Sequence, residues 1–316
     1  MDDVLKSMYM TKKKTHNLAT DIVRWIPIER LPPELRAVTS SVYLSRECFD
    51  MDNISEFSRS QRKIDGTSIT LFVFKAMDTK PVWNALAYFV PLLNSLSSKM
   101  SHIDLILYDG VLKKMLPDEP GVILSPVHIN SGLTDGRTIF VFRREEMIKV
   151  ILHELIHYYG FDFNSREYES LENDVKKKIG LKSQYLALNE CYTETLTTIF
   201  MIGYQVQDGL SFSEFCLSYE SDMKKMITYS ARVAGRILDY HKFEEEHTHV
   251  FSYYFAKAAC LHHLTDFIKI FGKRFVIRGD DKKIRNFYAL VLDWISDPHI
   301  IASHQQSSRS LKMMTT

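Results

Sequence analysis

The stretch "VILHELIHYYGFDF", residues 150–163, places two histidines four apart, His153 and His157, with Glu154 beside the first and apolar residues between them. A helix advances about 100° per residue, so positions four apart share a face roughly 6 Å from each other. Both imidazoles can therefore address one ion. A Zn2+ ion takes nitrogen ligands at about 2.0–2.1 Å in a tetrahedral arrangement. Glu154 follows the first ligand and leans to the side, where it can reach a water activated by the ion without ligating the ion itself. The opposing reading is a buried helix whose two histidines are satisfied core residues. Against a chance match, Leu155 and Ile156 inside the motif suit a buried helix, and a carboxylate of the right kind follows downstream.

Around this stretch the hydrophobic period changes. Met147, Val150, Ile151 and Ile156 follow a helical pattern, with Glu145 and Glu146 in the first turn, where carboxylates favour a helix N-terminus. Arg143-Arg144-Glu145-Glu146 thus reads as a solvated helix start. Upstream, residues 102–110, 121–130 and 137–143 read as strands, with "TDGR" as a turn signal between the last two. Residues 67–77 read as a buried strand, and 81–100 as a helix beginning at Pro81 and kinked near Pro91. "LPPEL" at 31–35 breaks the chain ahead of a helical stretch at about 34–48. From 166 onward the pattern is helical, over 166–179, 188–206, 212–240, 246–271 and 283–296, and the tail "HQQSSRSLKMMTT" reads as polar and frayed. The layout is α+β: a mostly helical segment 1–66, a sheet with the motif helix over 67–165, a helical part 166–300 and a flexible tail 301–316.

Two histidines and a water leave a catalytic zinc one protein ligand short. The best source of a third is "LNECYTETLTTIF", 188–200. Glu190 and Glu194 lie four apart on one helical face, with Leu188, Leu196, Ile199 and Phe200 as apolar neighbours. Two carboxylates on a buried face are costly unless something cationic or hydrogen-bonding meets them. One could ligate the ion while the other accepts the second ring N–H of a ligating histidine. The competing reading is a surface helix that carries acidic residues.

"HELIH" followed downstream by "NECYTE" resembles the gluzincin group of zinc metallopeptidases, which pair HExxH with a glutamate on a later helix. The resemblance implies a zincin-like fold, with a small mixed or antiparallel sheet and an active-site helix ahead of a mostly helical C-terminal half. It implies Zn2+ as cofactor, His153, His157 and Glu190 as ligands, Glu154 as general base, and Glu194 as the carboxylate that orients a histidine. It also implies an edge strand that pairs with substrate backbone. "SPVHINSGLT", 125–134, stands where that strand should be, with Asn130 as the equivalent substrate-binding residue. The run from Asn130 to Phe163 also resembles uncharacterised HExxH proteins of large DNA viruses and protists. The edge-strand motifs of well-studied families, aromatic or GAMEN-type, are not found here.

In such a mechanism Glu154 takes a proton from the attacking water and passes it to the leaving amine, and the oxyanion needs a further donor. The resemblance places that donor, a histidine or tyrosine, on a later helix. In "EEEHTHVFSYYFAKAACLHH", 244–263, Tyr254 and His249 are the choices, with Tyr253, His247 and His263 behind them. An aromatic stripe of this kind also reads as plain core packing. His16, His102, His128, His241, His262 and His304 receive no role, though His128 lies near the expected edge strand.

Composition narrows the partners. The chain has 316 residues, 45% of them hydrophobic, and a net charge of +1. It shows no basic excess, glycine-rich phosphate loop or Cys/His finger spacing, so a nucleic acid is not expected as partner. The four cysteines have no CxxC pairing and read as reduced core thiols. With no signal-peptide pattern and no apolar run of about 18 residues, a soluble intracellular protein is expected, a virion location included, with no membrane partner. The leading expectation is a zinc-dependent peptidase acting on a peptide or protein substrate. The alternative is a zincin-like structural or interaction protein, such as a virion component, whose metal is non-catalytic or absent.

Overall fold

A computed structural model describes residues 2–14, 24–27, 29, 44, 47–49, 54–119, 121–182, 186–240, 247–272, 275–295 and 312–314. The strands are β1 (Arg24–Pro27), β2 (Glu56–Ile64), β3 (Thr67–Val73), β4 (His102–Leu107), β5 (Gly132–Thr134) and β6 (Thr138–Val141). They form one mixed sheet in the order β1-β2-β3-β4-β6-β5. β3, β4 and β6 run parallel, while β1, β2 and β5 pair antiparallel to their neighbours. The helices are α1 (Asp2–Lys14), α2 (Lys80–Leu96), α3 (Pro126–Ile129), α4 (Met147–Tyr158), α5 (Glu169–Ile179), α6 (Leu188–Gln205), α7 (Phe212–Tyr240), α8 (Lys257–His262), α9 (Leu264–Phe271) and α10 (Asp281–Trp294). The class is α+β, with the strands in the first half and mostly helices after β6.

Alternation along the parallel strands sorts the core into two layers. Ile69, Leu71 and Val73 of β3, with Ile103, Leu105 and Leu107 of β4, face the large helical core. Phe72, Ile106, Phe140 and Phe142 face the other way, onto Phe49, Phe57 and Phe74. β3–α2–β4 is a crossover between parallel strands, and α2 runs unbroken through Pro91 to Leu96. β2 and β3 form a hairpin through the turn Asp65-Gly66, so position 66 lies inside one sheet, and the segment expected to be mostly helical before it supplies two strands as well as α1.

Several local expectations change. The strand expected over 121–130 is instead a loop and the short helix α3, because Ser125 ahead of Pro126 is a helix-start pair: proline at the first turn loses no needed donor, and Ser125 and His128 cap one another. The edge strand is β5, joined to β6 by the expected turn, where Asp135 Oδ1 accepts from the Arg137 and Thr138 amides at 2.8 Å each. The helix expected over 246–271 is divided into a π-helical turn (Phe251–Ala256), α8 and α9. The helix start expected to be solvated at 143–146 is solvated at Arg144 but not at Arg143, which is 1% exposed and donates to the carbonyls of Leu112, Val127 and Asn130. Glu146 precedes α4 in a left-handed conformation at φ 59° and is turned inward. Lys312–Met314, part of the expected frayed tail, packs with Met313 and Met314 buried. The helix expected over 34–48 lies almost wholly outside the described residues, and 301–311 lies outside them entirely. No helix among the described residues is long and apolar enough to cross a membrane.

α4 lies between β5 and β6 on one side and α6 on the other. Gly132 sets its distance from the edge strand. A Cβ there would stand 2.6 Å from Val150 Cγ1 and 3.0 Å from Glu154 Oε1. Gly132→Ala is therefore expected to lower stability by about 1–3 kcal/mol through overpacking, read as a lower urea midpoint. An unchanged midpoint would mean that β5 and α4 are not held this close.

Candidate metal centre and cleft

α4 carries His153 and Glu154 into the interior, at 6% and 5% exposure, with His157 half-buried one turn later. α6 meets it as a buried helix, in place of the alternative surface helix. The hydroxyls of Thr195, Thr197 and Thr198 are satisfied by the carbonyls four residues back, so this threonine-rich stretch can sit in the core. From α6, Glu190 and Glu194 both reach α4.

The Nε2 atoms of His153 and His157 are 3.0 Å apart, and each lies 3.3 Å from Glu190 Oε2. Ligands about 2.0–2.1 Å from a tetrahedral zinc are about 3.3–3.4 Å from one another, so the triangle has the size a zinc ion needs. The backs of both rings meet carboxylates. His157 Nδ1 is 2.8 Å from Asp162 Oδ2, and His153 Nδ1 is 2.8 Å from Glu194 Oε1. These anions favour a neutral ring's N–H on Nδ1, at His157 through a hydrogen bond and at His153 through charge contact, and leave the Nε2 lone pairs facing inward. Two lone pairs and a carboxylate oxygen aimed at one point repel unless a proton or a cation lies among them. The donor set therefore fits zinc in both chemistry and size.

The titration shifts reflect the same field. Burial pushes His157 down, but Asp162 and Glu190 outweigh it and hold the imidazole well above its ordinary value. His153 is also raised, by Glu190 and Glu194 working against burial. Burial would raise Glu190, yet His157 and His153 carry it well below the ordinary carboxylate range. Glu154 has no such cationic surplus, and burial raises its carboxyl against the pull of His153 and His157.

Asp162 went unassigned in the sequence although it stands inside the opening stretch. The signal was Gly160: at φ 65° it ends the helix in a left-handed turn, and the Phe161 amide bonds back to the Ile156 carbonyl. This reversal returns Asp162 to His157. Asn189, beside Glu190, ties the acids together by donating to Asp162 Oδ2 and Glu190 Oε1 at 3.3 Å each. Lys149 was also missed. It sits four residues before His153, and its buried ammonium pairs with Glu194.

The three converging side chains form part of a cleft of about 640 Å3, which Glu154 also lines. β5 and Gly136 line it, as do Asn164, Tyr168 and Arg278. Of the two preferred oxyanion donors, His249 lines the cleft and Tyr254 does not. Tyr254 is buried in the core, 2% exposed. Tyr253 faces the cleft instead, its ring centroid 6.1 Å from that of His153 and 6.0 Å from that of His249. The physical reason is the π-helical turn over Phe251–Ala256, which changes the helical phase and re-aims adjacent side chains. Burial first, then Glu190, Glu154 and Glu194, raise the Tyr253 phenol well above its ordinary value, so it stays a proton donor. His263 is stacked on Trp294, and the His247 amide bonds the Leu124 carbonyl; neither lines the cleft.

Asn130 lines the cleft, but its backbone is spent internally: the amide bonds the Pro126 carbonyl, and the carbonyl accepts from Arg143. Its side-chain oxygen accepts from Thr248 at 2.9 Å. The backbone available to an extended ligand belongs to Gly132–Thr134 of β5, the last strand of the sheet among the described residues. The cysteines are free thiols. Burial raises the Cys191 thiol far above its ordinary value, and it faces Cys260 at 3.4 Å, consistent with a packing role.

No family model matches the chain, and no solved structure matches it. A stretch of 125 residues, 38% of the chain, is 25% identical to an uncharacterised protein of Acanthamoeba polyphaga mimivirus and takes in 31% of that protein's length.

Because both imidazoles are held above their usual value, a metal must displace protons to bind. Zinc affinity is expected to rise with pH through the range above about 6.5, with proton release visible as a buffer-dependent heat in titration calorimetry. An affinity that stays flat from about pH 6 to pH 8 would contradict the assigned ligands.

Proposed function

We propose that the chain is a zinc-dependent peptidase of gluzincin type, with a zincin-like arrangement of edge strand, motif helix and acidic helix. The observation that carries this reading is the convergence of His153 Nε2, His157 Nε2 and Glu190 Oε2 within 3.0–3.3 Å beside a cleft that Glu154 also lines. Three protein ligands facing an open cleft suit a catalytic site, whereas a structural zinc site is closed by four.

His153, His157 and Glu190 would hold the ion. A zinc ion there supplies a Lewis acid that polarises a peptide carbonyl and makes water acidic near neutral pH. An extended peptide pairs along the edge of β5 that has no strand partner among the described residues, so that backbone hydrogen bonds align the scissile bond across α4. Glu154 accepts a proton from the attacking water as its oxygen bonds to the carbonyl carbon. Its raised pKa brings it closer to the range useful for proton transfer in both directions. The same carboxyl then delivers that proton to the amide nitrogen as the C–N bond breaks, giving a carboxylic acid and an amine, and the acid's own proton passes to the amine to leave carboxylate and ammonium. The Tyr253 hydroxyl donates to the oxyanion, with His249 beside it. Asp162 and Glu194 fix the two imidazoles so that neither turns away during turnover.

Glu154→Gln is expected to keep one zinc per chain and lower kcat on a susceptible peptide by about 10²–10⁴-fold. Tyr253→Phe is expected to lower kcat by about 10²-fold with KM little changed, while Tyr254→Phe leaves turnover near normal. Metal analysis with peptide-library cleavage checks all three. Undiminished cleavage by the Glu154→Gln variant would end the peptidase assignment.

A further inference from the structure

Behind the metal centre lies a set of buried charges that the chemistry above does not use. Lys114, Lys149 and Lys257 are 1%, 3% and 2% exposed. Glu194 meets two of them: Oε1 pairs with Lys149, and Oε2 lies 3.7 Å from Lys257 Nζ. Glu146 meets the third, its Oε2 3.2 Å from Lys114 Nζ. Three ammonium groups against two carboxylates leave acceptors wanting in a region with little water, and unpaired buried cations are costly.

Residues 312–314 supply those acceptors. The Met313 carbonyl accepts from Lys257 Nζ at 3.2 Å, and the Met313 sulfur lies 2.9 Å from Lys149 Nζ. The Lys312 carbonyl accepts from the Tyr229 hydroxyl at 3.0 Å. In return Glu146 Oε1 accepts the Met313 and Met314 amides at 2.8 and 2.9 Å. A short peptide is thus read through its backbone by side chains from separate places in the chain. Met313 also borders a small cavity of about 30 Å3 shared with His153, Glu154, Glu194 and Tyr253.

We propose that residues 312–314 form a positioning strap for the metal centre: by holding Lys149 and Lys257 against Glu194, the strap fixes the carboxylate that sets the His153 ring. The inference rests on the metal-site reading above and assigns a role to a segment far from the motif. Contact runs without a gap from Met313 to Lys149, to Glu194, to His153 Nδ1. Zinc binding and strap docking are then linked, and each strengthens the other by one common factor.

The test uses zinc competition against a chromophoric chelator and amide hydrogen exchange, both on the full chain, with a chain ending at residue 311 for comparison. Removing the strap is expected to weaken zinc binding about 10-fold or more, as loss of a ligand's outer hydrogen-bond partner does. Adding a synthetic peptide of residues 311–316 restores the affinity. In the full chain, zinc is expected to slow exchange at the Met313 and Met314 amides beyond any slowing in β2. This arm decides the matter alone if the shortened chain does not fold. Equal zinc affinity with and without the strap, affinity not restored by the peptide, or exchange at 313–314 indifferent to zinc overturns the proposal while leaving the peptidase reading intact. Failure of the full chain to bind zinc overturns both.

Discussion

Three electron-pair donors pointed at one another from two helices are the constraint on which the rest of this structure depends. His153, His157 and Glu190 would repel if nothing positive lay among them, yet their surroundings press them together. Asp162 and Glu194 hold the two imidazoles from behind, and α4 packs directly against α6. The burial that makes Glu190 and Glu194 costly also strengthens every attraction they have for a cation. A buried site of this form is stable when something with positive charge completes it.

The fold builds a cleft around those three donors. The parallel strands β3, β4 and β6 form a layer covered on both faces, and β5 extends it by one short antiparallel strand whose outer edge is left to the cleft. Gly132 lets that edge come close to Glu154. Arg143, buried just after β6, holds the chain around Asn130 through two carbonyls and so fixes where β5 begins. On the far side, the lysine–glutamate cluster and residues 312–314 close the interior behind Glu194. The cleft thus has a strand for a wall, a polar floor and a supported back.

Much of this was legible in the sequence because it rests on helical periodicity. His153 and His157, and Glu190 and Glu194, are one turn apart, and that spacing alone determines that each pair shares a face. The α+β layout followed from the change of period near residue 147. What escaped depends on departures from periodicity or on contacts between distant segments. The π-helical turn changes the phase at 251–256, so Tyr253 faces the cleft where the sequence reading favoured Tyr254. Ser125-Pro126 starts a helical turn inside an apolar run that otherwise resembles a strand. Glu146 and Arg143 look like surface charges until residues 114 and 313 and the loop carbonyls are brought to them, and no local pattern announces partners so far away in the chain. Met313 and Met314, in a polar tail, gave no sign that their backbone would be bound.

The central claim is that one ion sits where these three donors meet. The most direct measurement is anomalous diffraction from crystals of the zinc-loaded chain, recorded on both sides of the zinc edge. The account predicts a single peak about 2.0–2.2 Å from His153 Nε2, His157 Nε2 and a Glu190 oxygen. A peak bound by other residues, or no peak from a chain shown to be folded and exposed to zinc, would contradict it.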